Sequence, residues 1–346
     1  MTATETSLDQ RIAAYEMARR RAVDYLLGHL DASGAVGPVG QGLFYYRVPW
    51  ALAVSGETGA AMRVAEWIRR HMLTPDGEIR GDGSPDAGMR NMANTYAEAI
   101  VAYGAQLLRR YDISQPAMRF AMRSQDPVTG GVHLDRARMG PDGPQLVFLT
   151  CQLGMSALLT GHVDAAEKAG RFLGRLWDEQ PELPDRLYTL YTRSGGIVRQ
   201  PPEGLSLRHV VNDRREVREY HYNGGMAAAF LGRLYLHTRD RQWLDLARAY
   251  QQFSMESSAR QFETKQVCKS AWGAAVLYMA TGEPQYRDWI VRMGDWFVEE
   301  QEPAGNWTNT LYLEPNPTVG GRIAITAEFI VHLDSVIGAL ATADVA

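Results

Sequence analysis

Residues Glu219 to Asn223 read Glu-Tyr-His-Tyr-Asn and are followed by two glycines. An imidazole and a carboxylate can trade protons near neutral pH, while phenols and an amide orient a substrate or stabilise an oxyanion. On a helix, Glu219, Tyr222 and Asn223 share a face, and His221 points elsewhere unless the helix begins at or after it. Glu219, His221 and Tyr222 are therefore candidate proton carriers, with Asn223 orienting. The same residues can also cap a helix and anchor the long loop before it.

Two further patterns carry polar groups into segments that otherwise read as core. Asn91, Asn94, Thr95 and Glu98 fall at i, i+3, i+4 and i+7. An unpaired buried polar group costs about 1–3 kcal/mol, so this stripe must face a polar cavity or a ladder of partners. Lys265, Cys268, Lys269 and Trp272 repeat the spacing, with Glu263 just before them. Only three of the 36 basic residues are lysines, at 168, 265 and 269. Two ammonium groups four residues apart repel, which lowers at least one pKa, and together they can bind an anion. Glu98 joins the proton carriers, Asn91 and Asn94 the substrate-orienting groups, and Lys265 and Lys269 the anion holders. An ion pair with Glu263, Glu98 or a loop carboxylate is the plainer use of these lysines.

Other candidates lie in the remaining segments. They are Tyr45, Tyr46, Arg47 and Trp50; Gln145, Phe148 and Gln152; Arg322, Thr326, Glu328 and Phe329; Trp307, Asn309 and Tyr312; and His133 with Asp135. Tyr46, Trp50, Trp272 and Trp307 are the aromatic residues chosen as substrate platforms. Arg47, Arg90, Lys265, Lys269 and Arg322 lie near helix N-termini, whose partial positive charge also favours anions. Their convergence points to a substrate carrying a carboxylate or phosphate.

These residues must be positioned by helices. Apolar periodicity gives an amphipathic set near 7–30, 57–73, 114–123, 161–178, 239–256 and 283–300. A more apolar, small-residue-rich set alternates with it near 43–55, 89–110, 145–160, 219–237, 264–281 and 322–341. Helical hairpins of this kind cannot bury their faces alone and must stack. Six of each set is the composition of an all-α (α/α)6 toroid, an inner ring of helices wrapped by an outer one, in a single domain spanning 1–346. An open solenoid is the alternative. Inner-to-outer turns are short (SGET, TGH, HTRD, TGEP), whereas 31–42, 74–88, 124–144, 179–218 and 301–321 are long and would emerge on one face, where function concentrates.

Composition closes off several classes. A formal charge of -4 argues against a nucleic-acid partner. The apolar runs are short and interrupted by charge, which argues against a membrane span, and the polar start of the chain is unlike a signal peptide. Two cysteines give neither a disulfide framework nor a CxxC knuckle. No HExxH, GxSxG or Gly-rich phosphate loop is found, so the reading is no metal, no cofactor and a cytoplasmic protein acting on a small molecule.

The segment Asp76–Gln106, a glycine-rich turn followed by a helix beginning near Thr-Tyr-Ala, resembles the repeat of the prenyltransferase and squalene cyclase group. SQDPVTGG and EPAGNW sit where that group carries its Gln/Gly/Trp turns. The resemblance implies the toroid. The group's DxDD acid, DDxxD metal motif and Asp-Cys-His zinc set are missing, so its acid-driven cyclisation and zinc-dependent transfer are not implied. The expectation is acid–base cyclisation, isomerisation or elimination on a small, partly hydrophobic, anionic metabolite of terpenoid or polyketide type. A carbohydrate enzyme (epimerase, hydrolase or lyase) is the first alternative, with Glu98, Glu219 and Glu328 as its carboxylates. A helical-repeat scaffold is the second.

Overall fold

The computed structural model describes residues 7–37, 45–80, 87–308 and 318–342, and for 87–94 the backbone alone. Among the described residues twelve α-helices run in the expected alternation. The inner set is α2 (Val48–Val54), α4 (Ala87–Leu107), α6 (Val147–Leu159), α8 (Tyr222–Thr238), α10 (Lys269–Thr281) and α12 (Val319–Thr342). The outer set is α1 (Leu8–Leu27), α3 (Thr58–His71), α5 (Tyr111–Met122), α7 (Val163–Asp178), α9 (Arg241–Met255) and α11 (Pro284–Glu299).

Each inner helix packs on the next, and α12 packs back on α2, so the ring is closed. Five hairpins are consecutive in sequence. The sixth pairs α12 with α1, the last helix with the first, and α1 also leans on α11. The fold is therefore the (α/α)6 toroid and not an open solenoid. Among the described helices only α12 is long and apolar enough to cross a membrane, and its most apolar window is 72% buried within the ring. Its apolarity is that of a helix walled in by neighbours on all sides.

Small residues let the inner helices close up. A Cβ on Gly225 of α8 would run into the Lys269 carbonyl of α10, and one on Gly273 of α10 into the Gly225 carbonyl. Gly104 does the same service between α4 and α2, where a Cβ would lie 3.0 Å from the Trp50 nitrogen. The glycine-turn segments share one purpose. Antiparallel bridges Leu30↔Val36, Leu73↔Ile79 and Gln125↔Val132 pinch three of the long connections into short hairpins. At their tips Gly34, Gly77 and Gly130 hold φ of +96°, +99° and +84°, and each presses its Cα against a carbonyl of the next outer helix, at Arg63, Pro116 and Lys168. Gly305, after α11, presses likewise on Arg21 of α1, so the pattern runs round the seam. Only glycine combines that φ with so close an approach.

The longest connection, between α7 and α8, carries most of the strand. β2 (Arg186–Tyr188) pairs with β5 (Val211–Asp213), and β1 (Gln145–Leu146), β3 (Leu190–Thr192) and β4 (Gly196–Ile197) form a second small antiparallel sheet. Five helix starts differ from the periodicity by three residues or more, among them α2 at Val48 for the expected 43 and α12 at Val319 for the expected 322. α8 begins at Tyr222 and α10 at Lys269, because 265–267 is a separate 3-10 turn, and α5 begins at Tyr111 with Pro116 inside it.

The α8–α10 contact should be intolerant of volume. Gly225→Ala is expected to lower stability by about 1–3 kcal/mol, as overpacking does in closed cores. A reduced urea midpoint with unchanged slope checks this. An unaltered midpoint would mean that α10 moves aside without cost.

Candidate active site at the mouth of the ring

One side of each inner helix start faces the ring axis, and all six helices contribute to a single cluster. Tyr46 and Arg47 precede α2, Tyr96 lies on α4, Phe148 on α6, Tyr222 on α8, Lys269 on α10 after Cys268, and Glu328 on α12. The rings touch in succession. Tyr46 meets Tyr96 edge-on at 5.9 Å, Tyr96 lies 4.2 Å from Phe148, and Phe148 lies 5.4 Å from Tyr222. The Lys269 ammonium completes the arc, 4.8 Å from the Tyr222 ring centre. Tyr46, Phe148 and Tyr222 are only half-buried, so the cluster keeps an open side, and this is the recess.

At the base of this aromatic wall sits the Glu328 carboxylate. One oxygen accepts from Arg47 and the other from Lys269, and Arg47 also donates to the Tyr96 hydroxyl. Burial alone would raise the Glu328 carboxyl, but the two cations hold it well below its ordinary value. Burial likewise opposes the Lys269 charge, and Glu328 outweighs it, so the ammonium is held above its ordinary range. The Cys268 thiol lies 3.5 Å from Glu328 and burial pushes it up to about 12. His332 lies 3.5 Å from the same oxygen, and burial pushes it down to about 4. Below, Trp50 packs on Tyr103 at 4.0 Å and on Trp272 at 5.6 Å, and Trp272 on His332 at 5.2 Å. These rings form the floor of the recess.

Donor atoms of Cys268, Glu328 and His332 lie within 4.8 Å of one another, as metal ligands would. They do not fit one as placed. Among the described residues two cations already occupy the single carboxylate, and a divalent ion would lift a buried net charge of one to two even with the Cys268 thiol ionised, which a low-dielectric site does not tolerate.

The structure sorts the sequence candidates by helix phase. Tyr46, Arg47, Tyr222 and Lys269 line the recess, with Trp50 and Trp272 beneath it. Glu98 does not, because it is two residues and about 200° away from Tyr96 on α4. It accepts from the Ile79 backbone N–H at 3.2 Å and from Arg136, while Thr95 bonds Ser124 at 3.0 Å. That face ties two loops to α4. His221 lies one residue before α8, its Nε2 3.1 Å from the Glu216 carbonyl, and burial holds it near 4. Asn223 donates to Asn212 of β5 at 2.9 Å, and Glu219 is raised by burial to about 7 beside Arg208. Glu219, His221 and Asn223 thus anchor the strand-bearing loop, and Tyr222 alone of that quintet turns to the recess.

The two lysines also part company, because the stripe was not one helix. Lys265, in the 3-10 turn, turns outward to Glu300 and over Trp296 at 5.4 Å. For Lys269 the expected lowering is reversed, because Glu328 holds its ammonium above the ordinary range. Trp307 is fully buried among Phe297 and Phe329, its Nε1 donating to the Phe297 carbonyl at 2.9 Å. Arg322 acts on Tyr25 of α1, away from the cluster. The side chains of Arg90, Asn91 and Asn94, and residues Asn309 and Tyr312, lie outside the described set. Sequence reasoning passed over Tyr96 and His332. Glu328 and His332 stand four apart on one helix, a signal hidden by the surrounding apolar residues.

No protein-family model matches the chain, and no curated protein sequence matches it. Solved structures do. A D-mannose isomerase superposes with a TM-score of 0.63 at 13% identity over 94% of this chain and 97% of its own. A family 76 glycoside hydrolase from a bovine Bacteroides thetaiotaomicron strain gives 0.60 at 14% over 93% and 77%. A type II terpene cyclase from Scytonema, solved with merosterolic acid A, gives 0.58 at 14% over 96% and 100%. The α/α toroid is the fold common to all of them, and the resemblance to the cyclase group holds at that level.

Glu98 yields a pH test. Burial raises its carboxyl to about 8, against which Arg136 works only in part. An acid raised on folding binds a proton in the native state, so its contribution is full below about pH 4.3, the unfolded value, and fades as pH climbs through about 8. Urea midpoints of wild type and Glu98→Gln should therefore diverge with pH across that window, the wild type losing stability relative to the variant. Parallel profiles would show that Glu98 is ionised throughout.

Proposed function

We propose that the chain is an enzyme acting at the ring mouth on a small, partly apolar anion, by acid–base chemistry of its own side chains. A cyclisation, isomerisation or elimination is the reaction class that fits. The observation that supports it is the joint construction of the recess: every inner helix places one group there, and those groups are aromatic rings around a buried Arg47–Glu328–Lys269 cluster. A scaffold has no use for such a cluster at its axis.

The acid half of the chemistry follows from the hydrogen bonds. Arg47 donates to the Tyr96 oxygen, so the phenol's own proton is directed away from the guanidinium. Burial raises the Tyr96 hydroxyl, while Arg47 and Lys269 favour its phenolate. At neutral pH Tyr96 therefore holds its proton until a substrate accepts it, and the two cations then stabilise the phenolate left behind. Tyr222, whose hydroxyl burial also keeps protonated, is the second donor. The aromatic faces exclude water and lie against an unsaturated carbon skeleton.

A sugar substrate is the second reading, favoured by the near end-to-end likeness to a D-mannose isomerase. Aromatic faces also take sugar rings. A glycoside hydrolase is less well served, because it needs two opposed carboxylates. Among the described residues only Glu328 enters the recess, and both its oxygens are committed.

Incubating the purified protein with a cell-free metabolite extract in D2O, followed by mass spectrometry, tests the class. An isomerase or cyclase converts one species into an isomer, apart from deuterium uptake, and an elimination sheds a small neutral molecule. A hydrolase adds water. The converted species should be retained as an anion and not as a neutral sugar. Tyr96→Phe and Tyr222→Phe should each slow conversion by about 10²–10⁴-fold with little change in melting temperature. His221→Asn should do the reverse. Full activity in both phenylalanine variants would sink the assignment.

A further inference from the structure

The charge of the recess narrows the substrate further, on the footing that this recess is the binding site. Among the described residues Arg47 and Lys269 contribute two positive charges and Glu328 one negative. Glu328 is the principal ionised neighbour of both cations, and both cations act on Glu328. Cys268 and His332 are neutral at physiological pH and change nothing in this sum. Among the described residues one positive charge is thus left without a counter-charge, in a setting where all three ionised groups are buried.

Hydrogen bonds locate where the missing charge belongs. Glu328 is saturated, one oxygen on each cation. Arg47 gives one N–H to Glu328 and one to the Tyr96 hydroxyl, and its guanidinium lies over the Tyr46 and Tyr96 rings at 5.4 and 5.5 Å. Lys269 gives only one of its three N–H donors to Glu328 and has no other hydrogen-bond partner among the described residues. Its ammonium lies 4.8 Å from the Tyr222 ring centre and 6.0 Å from that of Phe148, two side chains that keep part of their surface open. Ring faces are weak acceptors, and an ionic oxygen acceptor is worth far more to a desolvated ammonium.

We infer that the ligand is a monocarboxylate with a flat, unsaturated or aryl body, its carboxylate on the Lys269 ammonium and its body against the open sides of the Tyr222 and Phe148 rings. One carboxylate restores neutrality. A phosphate dianion would leave one buried negative charge in excess, and a neutral sugar would leave the ammonium unanswered. Tyr96 packs on Phe148 and Tyr220 on Tyr222, 30° and 24° from parallel, and the open parts of the Phe148 and Tyr222 rings are the surface left for a flat group. Glu328 then has a second use beyond pairing: it cancels one of two cations and so sets the ligand charge at one.

Benzoate, benzamide and phenyl phosphate separate these cases, read by quenching of the tryptophan fluorescence from the recess floor. In the wild type benzoate should bind about tenfold or more tighter than benzamide, the margin a charged hydrogen bond gives, and tighter than phenyl phosphate. Lys269→Met should erase the benzoate preference and leave benzamide binding as it was. Glu328→Gln, checked for folding by circular dichroism, should tighten benzoate and shift the preference toward phenyl phosphate. The last result has the opposite sign to damage, so a merely structural Glu328 cannot mimic it. If Glu328→Gln does not fold, Lys269→Met decides alone. Equal binding of benzoate and benzamide, a wild-type preference for phenyl phosphate, or no saturable response to benzoate overturns the assignment. Conversion of an extract species with any of those outcomes would mean that the enzyme reading stands and the monocarboxylate does not.

Discussion

A carboxylate with almost no access to water, Glu328, can stay ionised only because Arg47 and Lys269 flank it. Removing a charge from water costs several kcal/mol, and stripping one partner from such a group destabilises by about 3–5 kcal/mol. The three side chains come from α12, from the residue just before α2 and from α10, so the interaction clamps consecutive members of the inner ring. It also dictates what may surround it. Apolar aliphatic groups would raise the penalty further, and aromatic rings with hydroxyls and faces give the cations something to lie on. The lining of Tyr46, Tyr96, Phe148 and Tyr222 follows from that need as much as from any ligand.

Polar groups on the inner helices thus fall into two populations with different work. Those facing the axis form the charged recess. Those facing outward, such as Thr95 and Glu98 on α4 or Asn223 on α8, fasten loops to the ring. The second population makes the first possible. The loop that Asn223 and His221 secure leads directly into Tyr222, and the loops that Glu98 secures through Ile79 and Arg136 flank the α4 turn carrying Tyr96. Glycine tips pressed on the outer helices hold the far ends of the same loops.

Helix count, alternation, ring architecture and the sidedness of the long loops were legible in the sequence, because each rests on periodicity and turn chemistry that act locally. Phase was not. Whether Glu98 or Tyr96 meets the axis depends on how α4 is rotated against α2 and α6, and the rotation is set by contacts such as Gly104 on Trp50. The Lys265–Lys269 stripe failed for a local reason: a 3-10 turn advances about 120° per residue and not 100°, so positions four apart no longer coincide. The pairing of Arg47 with Glu328 spans 281 residues, and no spacing rule reaches that far. Tyr96 was visible only as the neighbour of a more conspicuous polar stripe.

Pairing the first helix with the last has a temporal consequence. Domains are synthesised from the N-terminus, and early segments begin to organise before late ones exist. Arg47 and Lys269 are made well before Glu328, on helices that can already pack through α4, α6 and α8. Until α12 docks, two cations face each other across an incomplete wall with no anion between them. That repulsion opposes premature collapse of the gap that α12 must fill. The last of the described inner helices to be made is thus the one that makes the ring electrostatically tolerable, and an assembled recess is itself the certificate that the circle has closed.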